Sequence, residues 1–440
     1  MKKQTYFITI LLILICNMAC HKPAETNIKV NQRQISQVIH SMTGIMIHDI
    51  SNPPLAARFF SYASLAGYEV VAQNNPSFKS MYGILNHYPA IKKPVIRKYS
   101  YQIAALFAMI EVAKKLQPSG RNLDSLQQSL FTYFEHNGIE KEVLDSSLRY
   151  AENIAVPILS YAKEDGYRDI SNFPRYSPKV GKGYWFPTPP SYMSPVEPYF
   201  NSVRTFYLDS PSLITPAAPI VFSEEKNSDF FKLMQDVYIE SKSSDKLHKD
   251  IAAFWDCNPF AVMDKGHLQF GVKKISPGAH WMGIAGIAAE QQSLSFDSTM
   301  QVYAILSTAL TDAFICCWDE KYRSNRVRPE TVIRRYIDNS WQPLLQTPPF
   351  PEYLSGHSVI SSAAAVILSH YFGDAFAYTD SVENAYGLGD RHFTSFRQAA
   401  SEAAISRFYG GIHFMDAIEE GQKIGNAVGE YIVKKISDKK

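Results

Sequence analysis

The chain has 440 residues, of which 46% are hydrophobic and 20% are charged. This length and apolar content are enough for one large core or two modest ones, and they exclude intrinsic disorder and fibrous repeats. Lys and Arg total 44 against 42 Asp and Glu, and removing the first nineteen residues takes away two lysines and leaves 42 charges of each sign. A neutral chain has no overall field to hold DNA or RNA, so we expect no nucleic-acid partner. Any anion site must then be a local cluster of cations.

The first twenty residues have the pattern of an export signal. Lys2 and Lys3 precede an apolar run over residues 7–15, which has the length of a signal-peptide core and is short for a membrane span. The run leads to a small residue followed by Cys20, which resembles the cleavage site of bacterial lipoproteins. We therefore predict that residues 1–20 are a signal peptide. The protein would be exported as a periplasmic protein or as a lipoprotein whose only membrane contact is a lipid on Cys20. Ordinary cleavage nearby, which would leave Cys20 as a thiol, is the alternative.

Hydrophobic spacing divides the rest of the chain into three regions. Residues 35–165 repeat apolar side chains every three or four positions, which predicts a helical region. Residues 166–226 form a connecting loop rich in proline and aromatic residues, since ten of the 25 prolines fall between positions 171 and 220 and prevent long helices. Residues 227–438 return to helical spacing, and strand-like alternation is absent. The clearest predicted helices are Tyr101–Leu116, Val143–Tyr161, Thr299–Tyr322, Ser358–Phe372, Ser395–Phe408 and Ala417–Ile436.

The cysteines do not form a recognisable framework. Five of them are too few and too irregularly spaced for a disulfide scaffold or a CxxC metal knuckle. Cys316 and Cys317 are adjacent, which makes a bond between them strained, and they lie in an apolar helical pattern. We expect both to be buried free thiols.

Three short clusters of cations and histidines lie in the last third of the chain. Lys321 and Arg328 are seven positions apart, which would place them near one side of a helix over about two turns, with Pro329 as its stop. These two residues form the first cluster, and their spacing predicts that both cations face the same ligand.

The other two clusters lie at predicted helix ends. Ser355–His357 opens a helix, where unpaired backbone N–H groups and a glycine suit an anion. Arg407 lies near the end of a helix that stops at Gly410–Gly411, and His413 follows the break. We predict that the three cations and two imidazoles of the clusters converge on one anion.

Taken together, the clusters resemble the three-part signature of the superfamily that contains the vanadium-dependent haloperoxidases and the type 2 phosphatidic acid phosphatases. The matching residues are Lys321-x6-Arg328-Pro329, Ser355-Gly356-His357 and Ser406-Arg407-x5-His413. The resemblance is tight over residues 310–425 and loose over residues 35–438. It implies an all-α fold, a helical bundle of the vanadium haloperoxidase and acid phosphatase type, with the proline-rich loop as a connection.

The resemblance also implies a role for each matched residue. A phosphate in transfer is a five-coordinate centre with charge on three equatorial oxygens, and vanadate adopts that geometry stably. In the family, His413 would bond the central atom axially, as the ligand of the vanadium, and His357 would lie opposite. The groups that would hold the equatorial oxygens are the cations Lys321, Arg328 and Arg407, the Ser355 hydroxyl and the Gly356 N–H.

Two enzyme activities and one binding function fit this site. In a haloperoxidase, vanadate would be the cofactor, Lys321 would activate hydrogen peroxide, His357 would assist its deprotonation, and a halide would be oxidised to hypohalous acid. In a secreted acid phosphatase, which needs no cofactor, His413 would be the nucleophile and His357 the general acid on a phosphomonoester or a lipid phosphate. A surface protein that holds an oxyanion without turnover is the third alternative. The chain length, the long helical N-terminal half and the sequence from Trp318 to Lys321 favour the haloperoxidase.

Two positions depart from the family pattern. The family usually has an aspartate four residues after the axial histidine, whereas position 417 is Ala and the nearest carboxylate is Asp416, three residues on. A shift of one residue turns a side chain by about 100° on a helix, so the role of Asp416 stays open. Leu354 replaces the proline that commonly precedes Ser-Gly-His.

Several other residues have more than one interpretation. Arg326 is either solvated, or paired with Glu330, or an addition to the field around the anion. His267, His280 and Trp281 belong either to a pocket wall or to a structural loop. The candidates for the wall that would set halide or ester preference are Phe350, Tyr353, Phe186 and Trp281.

Overall fold

A computed structural model of the chain describes residues 30–264, 268–270 and 275–438. The predicted signal segment, residues 1–20, lies outside the described residues and stays a prediction. Within them the chain forms thirteen α-helices, four short 3₁₀ segments and two pairs of three-residue strands. The all-α fold expected from the sequence is therefore confirmed.

The six helices predicted from the sequence are all present, and their bounds differ from the predicted ones by a few residues at most. In chain order, the thirteen helices of the described residues are α1 (Gln32–His48), α2 (Pro53–Asn74), α3 (Tyr101–Leu116), α4 (Leu123–His136), α5 (Lys141–Lys163), α6 (Asp229–Ser241), α7 (Lys246–Phe254), α8 (Pro277–Gln291), α9 (Phe296–Ser324), α10 (Pro329–Tyr336), α11 (Gly356–Phe372), α12 (Phe396–Tyr409) and α13 (Met415–Ser437). Helix α3 has the bounds expected from the sequence, and the Ser100 side chain accepts a hydrogen bond from Ile103 N and caps its start.

The strands form two small antiparallel pairs that the sequence pattern does not reveal. β1 (Val262–Asp264) pairs with β2 (Leu268–Phe270), and β3 (Tyr378–Asp380) pairs with β4 (Arg391–Phe393). A strand of three residues is too short to give a recognisable alternation of apolar and polar side chains.

The proline-rich loop between α5 and α6 is fixed to the buried helix α9. Its only regular structure among the described residues is two 3₁₀ segments, Tyr167–Asn172 and Phe200–Ser202. The carboxylate of Asp312 on α9 accepts three backbone N–H groups of residues 206–208, at 2.6, 2.7 and 3.1 Å. The Val196 carbonyl accepts hydrogen bonds from Trp318 Nε1 and Tyr322 Oη, also on α9. The loop is therefore an ordered cover over α9.

Helix α9 is the centre of one continuous core. It packs against α2 on one side and α11 on another, and buried apolar residues from α1 to α5, from α7 to α9 and from α11 to α13 belong to the same cluster. The helix is long and apolar enough to cross a membrane, but 94% of its most apolar window is buried inside the protein. Cys316 and Cys317 lie there as buried free thiols, as predicted.

Helices α11 and α13 run parallel in unusually close contact. A Cβ atom on Gly425 would lie 2.2 Å from the Val359 carbonyl oxygen, and one on Gly421 would lie 3.1 Å from the Ser355 carbonyl oxygen. Only glycine allows the two backbones to approach this closely. Because the helices are parallel, their N-termini lie at the same end, where Ser355 N donates to the Ala417 carbonyl. The segments that begin the two helices are thereby brought together.

Candidate active site

The first cation cluster is built differently from the sequence prediction. Helix α9 ends at Ser324, and Asn325 follows in the left-handed conformation, with φ of 54°. Arg328 then precedes α10, whose first residue is Pro329. The prediction of one helix through Lys321 and Arg328 is therefore wrong, because the chain reverses between them and Pro329 starts a helix instead of stopping one. The two cations come from separate elements.

Arg328 is fully buried and is held by backbone carbonyls. Its Nε donates to the Phe350 carbonyl and its Nη1 to the Ile412 carbonyl, both at 2.9 Å. Nη1 also lies 3.0 Å from His413 Nε2. The third nitrogen, Nη2, is buried without a hydrogen-bond partner among the described residues. Burial lowers the pKa of Arg328 to about 9, so the guanidinium keeps its charge at neutral pH.

Arg407 lies in the last turn of α12, and His413 follows the turn at Gly411, as predicted. Arg407 Nη1 donates to the Trp255 carbonyl at 2.9 Å, and Nη2 lies 3.9 Å from the Asp256 carboxylate. Its Nε, like Arg328 Nη2, is buried without a partner in the described part of the chain. Burial lowers the pKa of Arg407. Two buried guanidinium groups therefore each keep a nitrogen available for an anion.

Lys321 is buried beside the segment that precedes α11. Its ammonium donates to three carbonyl oxygens, those of Pro351 at 2.9 Å, Glu352 at 3.1 Å and Leu354 at 2.5 Å. An ammonium has three N–H bonds, so all three are used in this structure. Burial lowers the pKa of Lys321 to about 7. The structure thus places Lys321 as a buried cation that holds the turn before Ser355.

The second cluster opens α11, as predicted. Ser355 is the N-cap residue, and its hydroxyl accepts a hydrogen bond from Ser358 N at 3.4 Å. Gly356 is the first residue of the helix, and both Gly356 and His357 line the cavity described below. The N-terminus of a helix presents backbone N–H groups and a partial positive charge.

His413 is held between a carboxylate and a guanidinium. Its Nδ1 lies 2.8 Å from Glu352 Oε1, and its Nε2 lies 3.0 Å from Arg328 Nη1. Burial lowers the pKa of His413 well below its ordinary value, and the nearby cations, Arg328 first, lower it further. A neutral ring between these partners carries its proton on Nδ1, because a guanidinium only donates and a carboxylate accepts. The lone pair is therefore on Nε2.

Glu352 is the functional residue that the sequence analysis missed. It is fully buried, and its Oε1 accepts from both His413 Nδ1 and Phe414 N, the latter at 3.0 Å. Its other oxygen accepts from Arg326 Nε at 2.6 Å. A buried imidazole needs an acceptor for its N–H group, and Glu352 lies in the turn just before Ser-Gly-His. That position is the signal that could have identified it.

Asp416 acts on Arg326 and not on His413. The two oxygens of Asp416 accept from the two terminal nitrogens of Arg326 at 2.5 and 2.8 Å. Arg326 is therefore buried between Asp416 and Glu352, which corrects the interpretations of a solvated residue and of a pair with Glu330. Burial lowers the pKa of Arg326, but Glu352 and Asp416 outweigh burial and raise the pKa above its ordinary value. Asp416, three residues after His413, thus supports the imidazole indirectly, through Arg326 and then Glu352.

A narrow cavity lies against Arg407, His413, His357 and Gly356. Its volume is about 30 Å³, which is room for two or three water molecules. Most of the remaining wall is apolar, formed by Pro53, Pro259, Phe260, Pro277, Phe314, Trp318, Pro348 and Phe350. Such walls exclude water and strengthen the electrostatic interactions inside.

Of the four wall candidates, only Phe350 lines this cavity. Phe186 is 58% exposed, and Tyr353 donates its hydroxyl to the Ala217 carbonyl. Trp281 is buried on α8, where its Nε1 donates to Ser361 Oγ. His280 also lies on α8, so neither residue belongs to a loop. The side chain of His267 lies outside the described residues.

Comparisons with known proteins give a consistent picture. Residues 301–439 match the family described as the VCPO second helical-bundle domain. Comparison with curated proteins gives no match. The crystal structure of the first bacterial vanadium-dependent iodoperoxidase is 44% identical, with a TM-score of 0.87 over 93% of this chain and 97% of that one.

A bacterial vanadium-dependent chloroperoxidase has the same fold at greater distance. Its holo and apo structures are both 17% identical to this chain, with TM-scores of 0.67 and 0.66. Each covers 88% of this chain, and the matched parts are 93% and 95% of theirs. Because a relative of 44% identity extends over nearly the whole of both chains, this protein belongs to the vanadium haloperoxidase superfamily.

Proposed function

We propose that this protein is a vanadate-dependent haloperoxidase that oxidises iodide, and less readily bromide, with hydrogen peroxide. The observation that carries the proposal is the neutral His413, whose Nε2 lone pair lies among buried cations beside a narrow cavity. The preference for iodide is supported by the 44% identity to a bacterial iodoperoxidase.

The buried donors suit vanadate. Arg328 Nη2 and Arg407 Nε lack partners among the described residues, and both belong to cations that burial would otherwise destabilise. An oxyanion such as vanadate would accept hydrogen bonds from both donors, and the Gly356 N–H and the Ser355 hydroxyl would help to hold it. His413 would bind the metal through Nε2. Lys321 would add its charge from the turn beside Phe350.

Vanadate, when bound, would activate hydrogen peroxide toward a halide. The protein contributes by fixing charges and protons around that chemistry. Glu352 keeps the proton of His413 on Nδ1, which leaves Nε2 available as a ligand. The guanidinium groups would neutralise negative charge on the oxygens, and His357, which lines the cavity, would accept a proton from peroxide. The apolar wall keeps bulk water away from the oxidant.

The size of the cavity favours inorganic substrates over phosphate esters. The cavity has room for two or three water molecules, so the organic part of a phosphate ester would have to lie outside it. The acid phosphatase and the oxyanion-binding protein are therefore outcomes for the experiment to exclude.

The test uses purified protein with and without orthovanadate. Peroxide-dependent oxidation of iodide and bromide and hydrolysis of an aryl phosphate are measured in parallel, with His413→Ala as the variant. His136→Ala, at an exposed helix end, is the control. We expect halide oxidation that requires vanadate, is faster with iodide and is lost only in His413→Ala. Vanadate-inhibited phosphate release by the unloaded protein would instead indicate a phosphatase, and silence in both assays would indicate an oxyanion-binding protein.

A further inference from the structure

A second buried cluster of ligating side chains lies beside the cavity. Cys257 follows α7, His280 lies on α8, and Glu383 lies in the 3₁₀ segment Val382–Tyr386 after β3. The three side chains are 3%, 0% and 0% exposed, and one potential ligand atom of each lies within 4.8 Å of the other two. Cys257 also lines the cavity that contains His413. No part of the proposed haloperoxidase chemistry uses this cluster.

The separations of the three atoms match a tetrahedral metal site. His280 Nδ1 lies 3.0 Å from Glu383 Oε1 and 3.5 Å from Cys257 Sγ, and the sulfur lies 3.8 Å from the same oxygen. Zinc bonds of about 2.3 Å to sulfur and about 2.0 Å to nitrogen and oxygen require separations of about 3.3, 3.5 and 3.5 Å. Each observed separation agrees to within about 0.3 Å.

The ring nitrogen of His280 that points away from Cys257 and Glu383 contacts a carboxylate, as is usual for metal-bound histidines. His280 Nε2 lies 2.8 Å from Asp380 Oδ2, and the other oxygen of Asp380 accepts from Val382 N at 3.0 Å. The indole of Trp255 stacks on the imidazole, with 4.7 Å between ring centres. A carboxylate on the far nitrogen fixes the tautomer, leaving Nδ1 to bind a metal. The ring cannot turn away because the indole packs against it.

A salt bridge without metal explains only part of this arrangement. If His280 were an imidazolium between Asp380 and Glu383, both ring nitrogens would donate to carboxylates. In that pairing the Cys257 thiol contributes no more than a weak hydrogen bond to Glu383 Oε1, 3.8 Å from the sulfur, beside its 3.5 Å contact with His280 Nδ1. A thiolate, an imidazole and a carboxylate directed at one point are a donor set that zinc accepts.

We propose that Cys257 Sγ, His280 Nδ1 and Glu383 Oε1 bind one Zn²⁺ ion beside the active cavity, with the fourth position of the ion left to a water molecule. The ion ties the segment after α7 to α8 and to the 3₁₀ segment. Trp255, two residues before Cys257, supplies the carbonyl that holds Arg407. The zinc site therefore steadies one of the cations of the oxyanion site.

The test is the zinc content of the whole protein. Protein dialysed against a chelator is given Zn²⁺, freed of excess metal and analysed by mass spectrometry. We expect one zinc per chain, and at least tenfold weaker zinc binding in Cys257→Ser and His280→Ala. Cys316→Ser is the matched control, since Cys316 is also 3% exposed and its thiol donates to the Ile214 carbonyl. Asp380→Asn, which keeps all three ligands, should weaken binding about tenfold through the histidine.

Spectroscopy keeps the proposal testable if a ligand variant fails to fold. The wild-type protein loaded with Co²⁺ should show a thiolate-to-metal charge-transfer band, and its zinc X-ray absorption should fit one sulfur among nitrogen and oxygen neighbours. Zinc content below a tenth of an ion per chain after reloading, or equal zinc content in Cys257→Ser and Cys316→Ser, would overturn the proposal. The cluster would then be an ion pair of His280. Halide oxidation is not part of this test, so the two proposals fail separately.

Discussion

Two buried histidines, His413 in the cavity wall and His280 beside the cavity residue Cys257, lie in opposite electrical environments. His413 faces Arg328, and Arg407 and Lys321 also lower its pKa. His280 faces two carboxylates and a thiol. In each case one ring nitrogen is fixed by a buried carboxylate, Glu352 or Asp380, and the other is left for a ligand.

The comparison shows that the residue type does not decide what a buried histidine binds. The surrounding charge selects the partner: burial and the nearby cations lower the pKa of His413, which favours an oxyanion, whereas the carboxylates outweigh burial and raise the pKa of His280, which favours a positive partner, either a proton or a metal ion. The two environments meet in one short segment, because the Trp255 carbonyl holds Arg407 and Cys257 belongs to the other cluster. Separate perturbation of each environment is therefore the most direct way to test the comparison.

The largest effect is expected from Glu352→Gln. The amide offers a weaker acceptor to His413 and leaves Arg326 short of one buried charge partner. We expect vanadate affinity and halide oxidation to fall about 10- to 100-fold, and the free energy of unfolding to fall by about 3–5 kcal/mol. Vanadate titration and urea unfolding measure the two quantities.

Glu330→Gln is the control for that change. Glu330 is also buried, but it pairs with Thr347 and Arg334 away from the imidazole. If both variants lowered vanadate affinity equally, Glu352 would have no special connection to His413.

A smaller effect is expected from Arg407→Gln. This change removes one buried cation with a nitrogen available to the anion, and charge-assisted hydrogen bonds contribute about 1.5–3 kcal/mol. We expect roughly tenfold weaker vanadate binding with unchanged zinc content, measured by calorimetry and mass spectrometry on the same sample. Loss of zinc in this variant would show that the two sites are not separable.

The pH dependence of vanadate binding tests Lys321. Burial lowers its pKa from 10.5 to about 7, so the unloaded protein loses this charge as the pH rises through 7. We expect vanadate affinity to fall several-fold from pH 6 to pH 9. Across the window from about 7 to 10.5 the unfolded chain binds the extra proton, so this group's contribution to the free energy of unfolding increases with pH.

Lys321→Arg separates this effect from the titration of vanadate itself. An arginine keeps its charge over the whole range, so the variant's affinity should decline less than that of the wild type. Parallel pH profiles for the two proteins would show that the charge of Lys321 does not contribute.

The smallest effect is expected from Asp416→Asn. Asp416 contacts Arg326 and is partly exposed, so its influence reaches His413 only through Arg326 and Glu352. A partly exposed ion pair contributes up to about 1 kcal/mol, and we expect halide oxidation to fall by no more than about fivefold. A loss as large as that of Glu352→Gln, in the same oxidation assay, would contradict this order.

Much of the fold was predictable because helices leave local signals. The spacing of apolar residues gave α3 its bounds, and Ser355 and Gly410–Gly411 marked the helix ends that carry His357 and His413. The helix break between Lys321 and Arg328 was missed, since Asn325 is a weak signal for a left-handed residue and Pro329 suits both a stop and a start.

The partners of the site residues were less predictable because they depend on tertiary contacts. Glu352 lies 61 positions before His413, and no local spacing connects them. The Cys257 cluster joins segments up to 126 positions apart, so it leaves none of the short spacings by which metal sites are recognised. Order and spacing predicted the residues of the candidate oxyanion site, whereas the charged groups around them became known only from the structure.

The glycine contact between α11 and α13 has a consequence for precision. Because the glycines of α13 bring its backbone against main-chain oxygens of α11 as well as short side chains such as those of Ser358 and Val359, the separation of the two helices is set largely by stiff main-chain atoms. A slip of one helix by a single residue would displace its N-terminus by about 1.5 Å, enough to misalign an oxyanion site. The close contact of α11 and α13 therefore fixes the distance between the residues that precede the two N-termini, independently of how other core side chains repack.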